Sequence, residues 1–164
     1  MKVFNVLVLC TGNSARSILG EALFNHLGRG RIRAFSAGSQ PSGKVNPVAL
    51  ETLEKHGVPL HEARSKSWDE FAAPGAPALD FIFTVCASAA GETCPIWPGH
   101  PATAHWGIAD PAHVEPLAAR RAAFETAYGE LEKRIAAFLQ LPLETMSTAA
   151  ISEAARAIHA EAAA

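Results

Sequence analysis

The sequence predicts an α/β fold in three layers, a four-stranded parallel sheet with helices on both faces. Three observations predict it. Short apolar runs alternate with helix-patterned segments along the chain. The connections between runs are long enough for the crossovers that parallel strands require. The 164 residues, 49% apolar and 18% charged, suffice for one domain with its own core.

Residues 3–9 form an almost continuously apolar run, as expected of a strand buried on both faces. A Gly-Asn-Ser turn leads into a helix over 17–27. There Leu19, Leu23 and Leu27 recur every fourth residue and Gly28 supplies the stop. Residues 31–37 read as the second strand, ending at Gly38. Asn46 can cap the next helix, which has Pro47 at its first position, runs to His56 and stops at Gly57. Phe81-Ile82-Phe83 centre a third strand over 80–85. A polar loop over 86–101 precedes a fourth strand over 102–106. The last long helix spans 115–141, its Phe124, Tyr128, Leu131, Ile135 and Phe138 on one face and Gly129 a local weak point. The domain is therefore assigned to residues 1–142. Residues 143–164 are Ala-rich and read as a loosely attached, fraying tail with a helix from about Thr148.

A net charge of -2 gives no general attraction to nucleic acid or anionic membrane. Arg29, Arg31 and Arg33 read as a solvated junction. The first apolar stretch ends at Cys10 without a cleavage-site pattern, and no segment has membrane-spanning length. These features predict a cytoplasmic protein, and a monomer, because no apolar strip is left outside the core. Three cysteines in a reducing compartment are no disulfide framework. They are either one nucleophile with a redox pair or three unrelated residues.

The chemistry centres on Cys10-Thr11-Gly12-Asn13-Ser14-Ala15-Arg16-Ser17, which leaves a buried strand and enters a helix. Gly12 and Asn13 tolerate left-handed backbone angles, so successive N–H groups can curl inward as an anion-binding nest. The helix N-terminus adds N–H donors and positive dipole. Arg16 adds a planar fork that fits two oxygens of a tetrahedral anion. The same features favour a Cys10 thiolate, since cysteines at helix N-termini near arginine titrate at roughly 3.5–7.5. Ser14 and Ser17 offer hydroxyls to the sulfur or the loop.

Cys86 ends the third strand and Asp110 follows the fourth, so both lie with Cys10 at the carboxyl edge of the sheet, where ligands bind. Asp110 fits a general acid that protonates a leaving oxygen, or a turn residue before Pro111. Cys86 and Cys94 read as a redox pair across a loop containing Gly91, as zinc ligands with His100 or His105, or as unrelated small residues. Zinc is disfavoured because the spacing is not a ligand pattern. Trp68, Trp97 and Trp106 read as packing residues.

Residues 8–23 (VLCTGNSARSILGEAL), 35–39 (FSAGS), 86–99 (CASAAGETCPIWPG) and 105–112 (HWGIADPA) together resemble the thioredoxin-coupled arsenate reductases. Those enzymes share the fold of low-molecular-weight protein tyrosine phosphatases. The resemblance covers residues 4–141 and implies the strand order 2-1-3-4. It also implies that arsenate binds the amides of Thr11, Gly12, Asn13, Ser14, Ala15 and Arg16, and that Cys10 attacks arsenic while Asp110 helps a hydroxide leave. Cys86 then attacks Cys10 and Cys94 attacks Cys86, passing the disulfide to thioredoxin. Glutaredoxin with glutathione is the alternative reductant.

No tightly bound cofactor is implied. Asn13, Glu21 and Ser36 match positions that support the loop and, in some members, hold potassium. Lys66 departs from those members, which carry a nearby acidic residue, so its ammonium is expected to replace the ion and activity to be independent of potassium. The rival readings are a low-molecular-weight phosphatase, with weak phosphatase activity unsurprising in either case, and a non-enzymatic thiol redox sensor.

Overall fold

The computed structural model describes residues 2–60, 64–85 and 101–163. Strand β1 (Phe4–Cys10) leads into helix α1 (Arg16–Gly28), followed by β2 (Ile32–Gly38), α2 (Pro47–Lys55) and a short helix α3 (Asp69–Ala72). Then come β3 (Phe81–Thr84), β4 (Ala102–His105), the long helix α4 (Leu117–Leu139), a 3-10 turn (Leu143–Thr145) and a C-terminal helix α5 (Thr148–Ala163). The strands form one parallel sheet in the order β2-β1-β3-β4, as the family resemblance implies.

Alternation along β1 divides the core. Phe4, Val6 and Val8 face the layer holding α1, α2, α4 and α5, where Phe24, Phe83, Trp106 and Phe138 form an aromatic cluster. Leu7 and Leu9 face the opposite side, covered by Trp68, Phe71 of α3, Leu79 and Ile82. The helical layers are thus unequal among the described residues, and α3 is too short to announce itself by periodicity. Trp68 and Trp106 are packing residues, while Trp97 lies outside the described residues.

Each edge of the sheet is blunted by a helix side chain, a recurring answer to unpaired strand edges. On β2, Asn25 of α1 accepts from Ala34 N (2.8 Å) and donates to Ala34 O (3.2 Å). On β4, Thr103 N donates to Ser152 Oγ of α5 (3.1 Å).

The last contact corrects the expectation of a frayed tail. Residues 148–163 form a packed helix preceded by Ser147, whose Oγ accepts from Ala150 N (3.1 Å). Ile151 and Ala155 are buried on one face, with Ile158 packed beside them. The i, i+4, i+7 spacing is the amphipathic signal, muted because alanine fills the positions between. Gly129 does not interrupt α4. No helix among the described residues is long and apolar enough to cross a membrane.

Candidate active site

The parallel register places Cys10, buried, beside Gly38 at the carboxyl end of the sheet. The chain then turns through residues 11–15 into α1. Helix α1 begins after Ala15, which offers no capping side chain. Its first-turn N–H donors are therefore not taken by a side-chain cap, and donors of that kind at a helix N-terminus suit an anion.

The loop's carbonyls are bonded to an outer wall that includes Gln40, Ser42, Asn46 and Ser65. Thr11 O accepts from Gln40 N (2.9 Å), and Gly12 O from Ser42 N (3.0 Å) and Ser65 Oγ (3.0 Å). Ser14 O accepts from Asn46 N (2.8 Å). A trans peptide points the next N–H the opposite way. The N–H groups of Gly12, Asn13 and Ala15 therefore turn away from that wall, as an anion nest requires. Asn46 serves twice, since its side chain also caps α2 by accepting from Val48 N (2.9 Å).

Asn13 carries the reversal. It alone of the two expected positions has a left-handed φ, 46°, while Gly12 does not adopt one. Its fully buried amide donates to Ser17 Oγ (2.9 Å) and accepts from Lys66 N (2.8 Å). These bonds offset the cost of a conformation that L-residues other than asparagine rarely adopt. Ser17 thus supports the loop through Asn13. Gly38 is a support that sequence reasoning missed. A Cβ there would overlap the Thr11 carbonyl oxygen and lie 3.0 Å from both Asn13 N and Cys10 O. Only register across two strands reveals that closeness, although the FSAGS segment marked the neighbourhood.

Arg16 reaches across to the loop after β4. Its Nη1 donates to Ile108 O (2.7 Å) and its Nη2 lies 3.7 Å from Asp110 Oδ2. Its Nε is buried without a hydrogen-bond partner among the described residues. A buried donor left unpaired costs about 1–3 kcal/mol, so this nitrogen is poised for an acceptor such as an oxyanion oxygen. Asp110 takes the turn position that its sequence allowed, with its second oxygen turned toward Arg16. One oxygen accepts from Ala112 N (2.9 Å) and makes the turn before Pro111, while the other faces Arg16.

Beneath the loop lies a buried polar cluster. Ser36 Oγ donates to Glu21 Oε1 (2.5 Å), and Lys66 Nζ sits 3.9 Å from the same oxygen while donating to Arg64 O (2.8 Å). Burial pushes the Glu21 carboxyl up and the Lys66 ammonium down. The charge of each partner opposes the shift of the other. Cys86, Cys94 and His100 lie outside the described residues. His105 Nδ1 is engaged with Thr84 Oγ1 (2.6 Å), and no group of three or more His, Cys, Asp and Glu able to hold a metal occurs among the described residues.

The profile of the low molecular weight phosphotyrosine protein phosphatase family matches residues 5–161. An arsenate reductase of Bacillus licheniformis is 34% identical over 82% of this chain and 94% of its own. One from Shouchella clausii is 32% identical over the same shares. The crystal structure of an arsenate reductase from Archaeoglobus fulgidus superposes with a TM-score of 0.65 at 26% identity, covering 83% of this chain and 99% of that one. With the loop, the sheet order and these matches in agreement, the chain belongs to the low molecular weight phosphotyrosine protein phosphatase family and groups with the arsenate reductases within it.

Proposed function

We propose that this chain reduces arsenate to arsenite with Cys10 as nucleophile and a Cys10, Cys86, Cys94 disulfide relay that thioredoxin regenerates. The observation that carries the reading is the loop after β1, whose carbonyls are bonded outward and whose Arg16 Nε is buried and unpartnered among the described residues. The relatives named arsenate reductase support the substrate. The two further cysteines support reduction over hydrolysis, which has no use for them.

The Cys10 thiolate attacks arsenic(V) and forms an S–As bond, while one arsenate oxygen leaves as water with a proton from Asp110. Arg16 and the loop N–H groups hold the remaining oxygens and the charge that develops on them. The Cys86 thiolate then attacks Cys10 Sγ. The S–As bond breaks with its electron pair going to arsenic, so arsenite departs and a Cys10–Cys86 disulfide remains. Cys94 attacks Cys86 Sγ and returns the Cys10 thiolate, leaving Cys86–Cys94 for an external dithiol to reduce. The balance is arsenate plus two thiols to arsenite, one disulfide and water.

The relay needs a reducing compartment, which fits a cytoplasmic monomer supplied with thioredoxin. Lys66 supplies the positive charge under the loop, and activity does not depend on potassium. Phosphate-ester hydrolysis is the second reading, favoured by the family match and by a loop that fits any tetrahedral oxyanion.

NADPH consumption with arsenate, thioredoxin and thioredoxin reductase tests the proposal. Sustained arsenate-dependent consumption is expected. Activity only with glutathione and glutaredoxin would replace the reductant, and phosphatase activity without arsenate reduction would overturn the reading.

A further inference from the structure

Two hydrogen bonds from the sheet region to helix α5 bracket β4. Thr103 N donates to Ser152 Oγ (3.1 Å) at one end. At the other, Trp106 Nε1 donates to Ala155 O (2.9 Å). Trp106 is fully buried, its ring centroid 4.2 Å from that of Phe83. The helix is anchored in turn by the burial of Ile151 and Ala155, and by Arg134 of α4, whose Nε donates to His159 Nδ1 (3.0 Å).

Strand β4 also leads to Asp110, the proton donor of the proposed mechanism. It spans only Ala102–His105, sits at the sheet edge and pairs on one side with β3. Directly after Trp106 the chain passes Gly107, where a Cβ would come within 2.8 Å of His105 Nε2. It is then pinned by Ile108 N to Val85 O (3.0 Å), gives Ile108 O to Arg16 and arrives at Asp110. The ladder of this edge strand, extended by Trp106 N to Thr84 O (2.7 Å), lies on one side only, so its outer side is held by side-chain contacts. A general acid must lie within hydrogen-bond reach of the oxygen it protonates, and a misplacement near 1 Å can cost about 100-fold in rate.

We propose that α5 is a strap that fixes the position of Asp110, and that Trp106 and Ser152 are the positioning residues through which it acts. The inference rests on Asp110 serving as the proton donor described above. The strap does not touch substrate. It holds the strand whose far end delivers the carboxyl to Arg16 and the anion loop. Ser152 takes the outward N–H of β4, and Ala155 takes the indole N–H at the point where the strand becomes the acid-bearing turn.

The experiment is single-turnover arsenite release from the fully reduced protein, without thioredoxin, by rapid quench. Four proteins are compared: wild type, Trp106→Phe/Ser152→Ala, Asp110→Asn, and the triple variant. Trp106→Phe keeps an aromatic ring in the core and removes the N–H. The double variant is expected to slow release about fivefold while phosphate binding, read as competitive inhibition, stays within about twofold. In the Asp110→Asn background the same pair of substitutions should cost less than about twofold, because the carboxyl they position is gone. Equal slowing in both backgrounds, or none in either, would overturn the strap alone. Asp110→Asn releasing arsenite as fast as wild type would overturn the proton-donor reading and the strap with it. Should the double variant fail to fold, Ser152→Ala alone goes through the same cycle and is expected to show the same loss of effect without Asp110.

Discussion

The loop after β1 and the turn at Asp110 sit side by side but are built in opposite ways. In the loop, three carbonyls are bonded to the wall behind it, Asn13 is fully buried with both ends of its amide used, and Gly38 leaves no space to relax. The turn is held by Ile108 and by one oxygen of Asp110, whose side chain is 43% exposed. The contrast separates two demands of the chemistry. Donors that stabilise charge work best when fixed before the substrate arrives. A proton donor must be reloaded from water, and an exposed carboxylate can be.

Asp110→Asn should show the larger effect of touching the turn. Its amide can still accept from Ala112 N and keep the turn, but it has no acidic proton to give. Single-turnover arsenite release is expected to fall about 100-fold with phosphate inhibition little changed. Comparable loss of both would mean that Asp110 builds the site instead of serving it.

Gly38→Ala probes the loop's rigidity. The added methyl has only backbone to push against, so the loop must shift. Overpacking of this kind costs about 1–3 kcal/mol, and the expected result is a lower denaturation midpoint with phosphate affinity weakened about tenfold. Loss of stability alone would show that the loop's shape tolerates strain. Exchange of potassium for sodium should change the steady-state rate by less than about twofold, since Lys66 already supplies a cation close to Glu21. A sharp rise with potassium would contradict that assignment.

The smallest effect belongs to the far side of the turn. His159 accepts from Arg134 only when its Nδ1 is unprotonated, and burial together with the Arg134 charge lowers its pKa from the ordinary 6.5. The unfolded chain therefore takes up the proton first. The stability linked to this contact is complete above pH 6.5 and falls as the pH drops toward the folded-state value. Between pH 7 and 5.5 the wild-type Tm should drop about 1–3 °C further than that of His159→Gln, which keeps an acceptor but does not titrate. Parallel curves would remove His159 from the docking of α5.

The sequence exposed the loop more readily than its surroundings, and the reason is physical. Cys10, Asn13 and Arg16 act within one strand–turn–helix unit, so short-range spacing describes them. Gly38, Ser65 and Asn46 act through strand register and tertiary hydrogen bonds, which leave no local pattern. Both Gly12 and Asn13 qualified for a left-handed angle, and the structure needs one reversal, placed where the side chain can be bonded twice. For Asp110 the structure bears out the turn, and its second oxygen faces Arg16 in a long-range pairing that no local pattern announces. The C-terminal helix from Thr148 is legible in the sequence, but its attachment to the core is not, because alanine blurs the contrast between its faces. Its partner, the indole N–H of Trp106, lies 49 residues away in sequence from Ala155.

The central claim is that Cys10 opens a three-sulfur relay on arsenate. The most direct test is Cys94→Ser, fully reduced and given arsenate without any external reductant. The account predicts one equivalent of arsenite and a protein trapped with a Cys10–Cys86 disulfide, identified by peptide mass spectrometry. Sustained turnover of that variant with thioredoxin, or arsenite release without the Cys10–Cys86 bond, would contradict it.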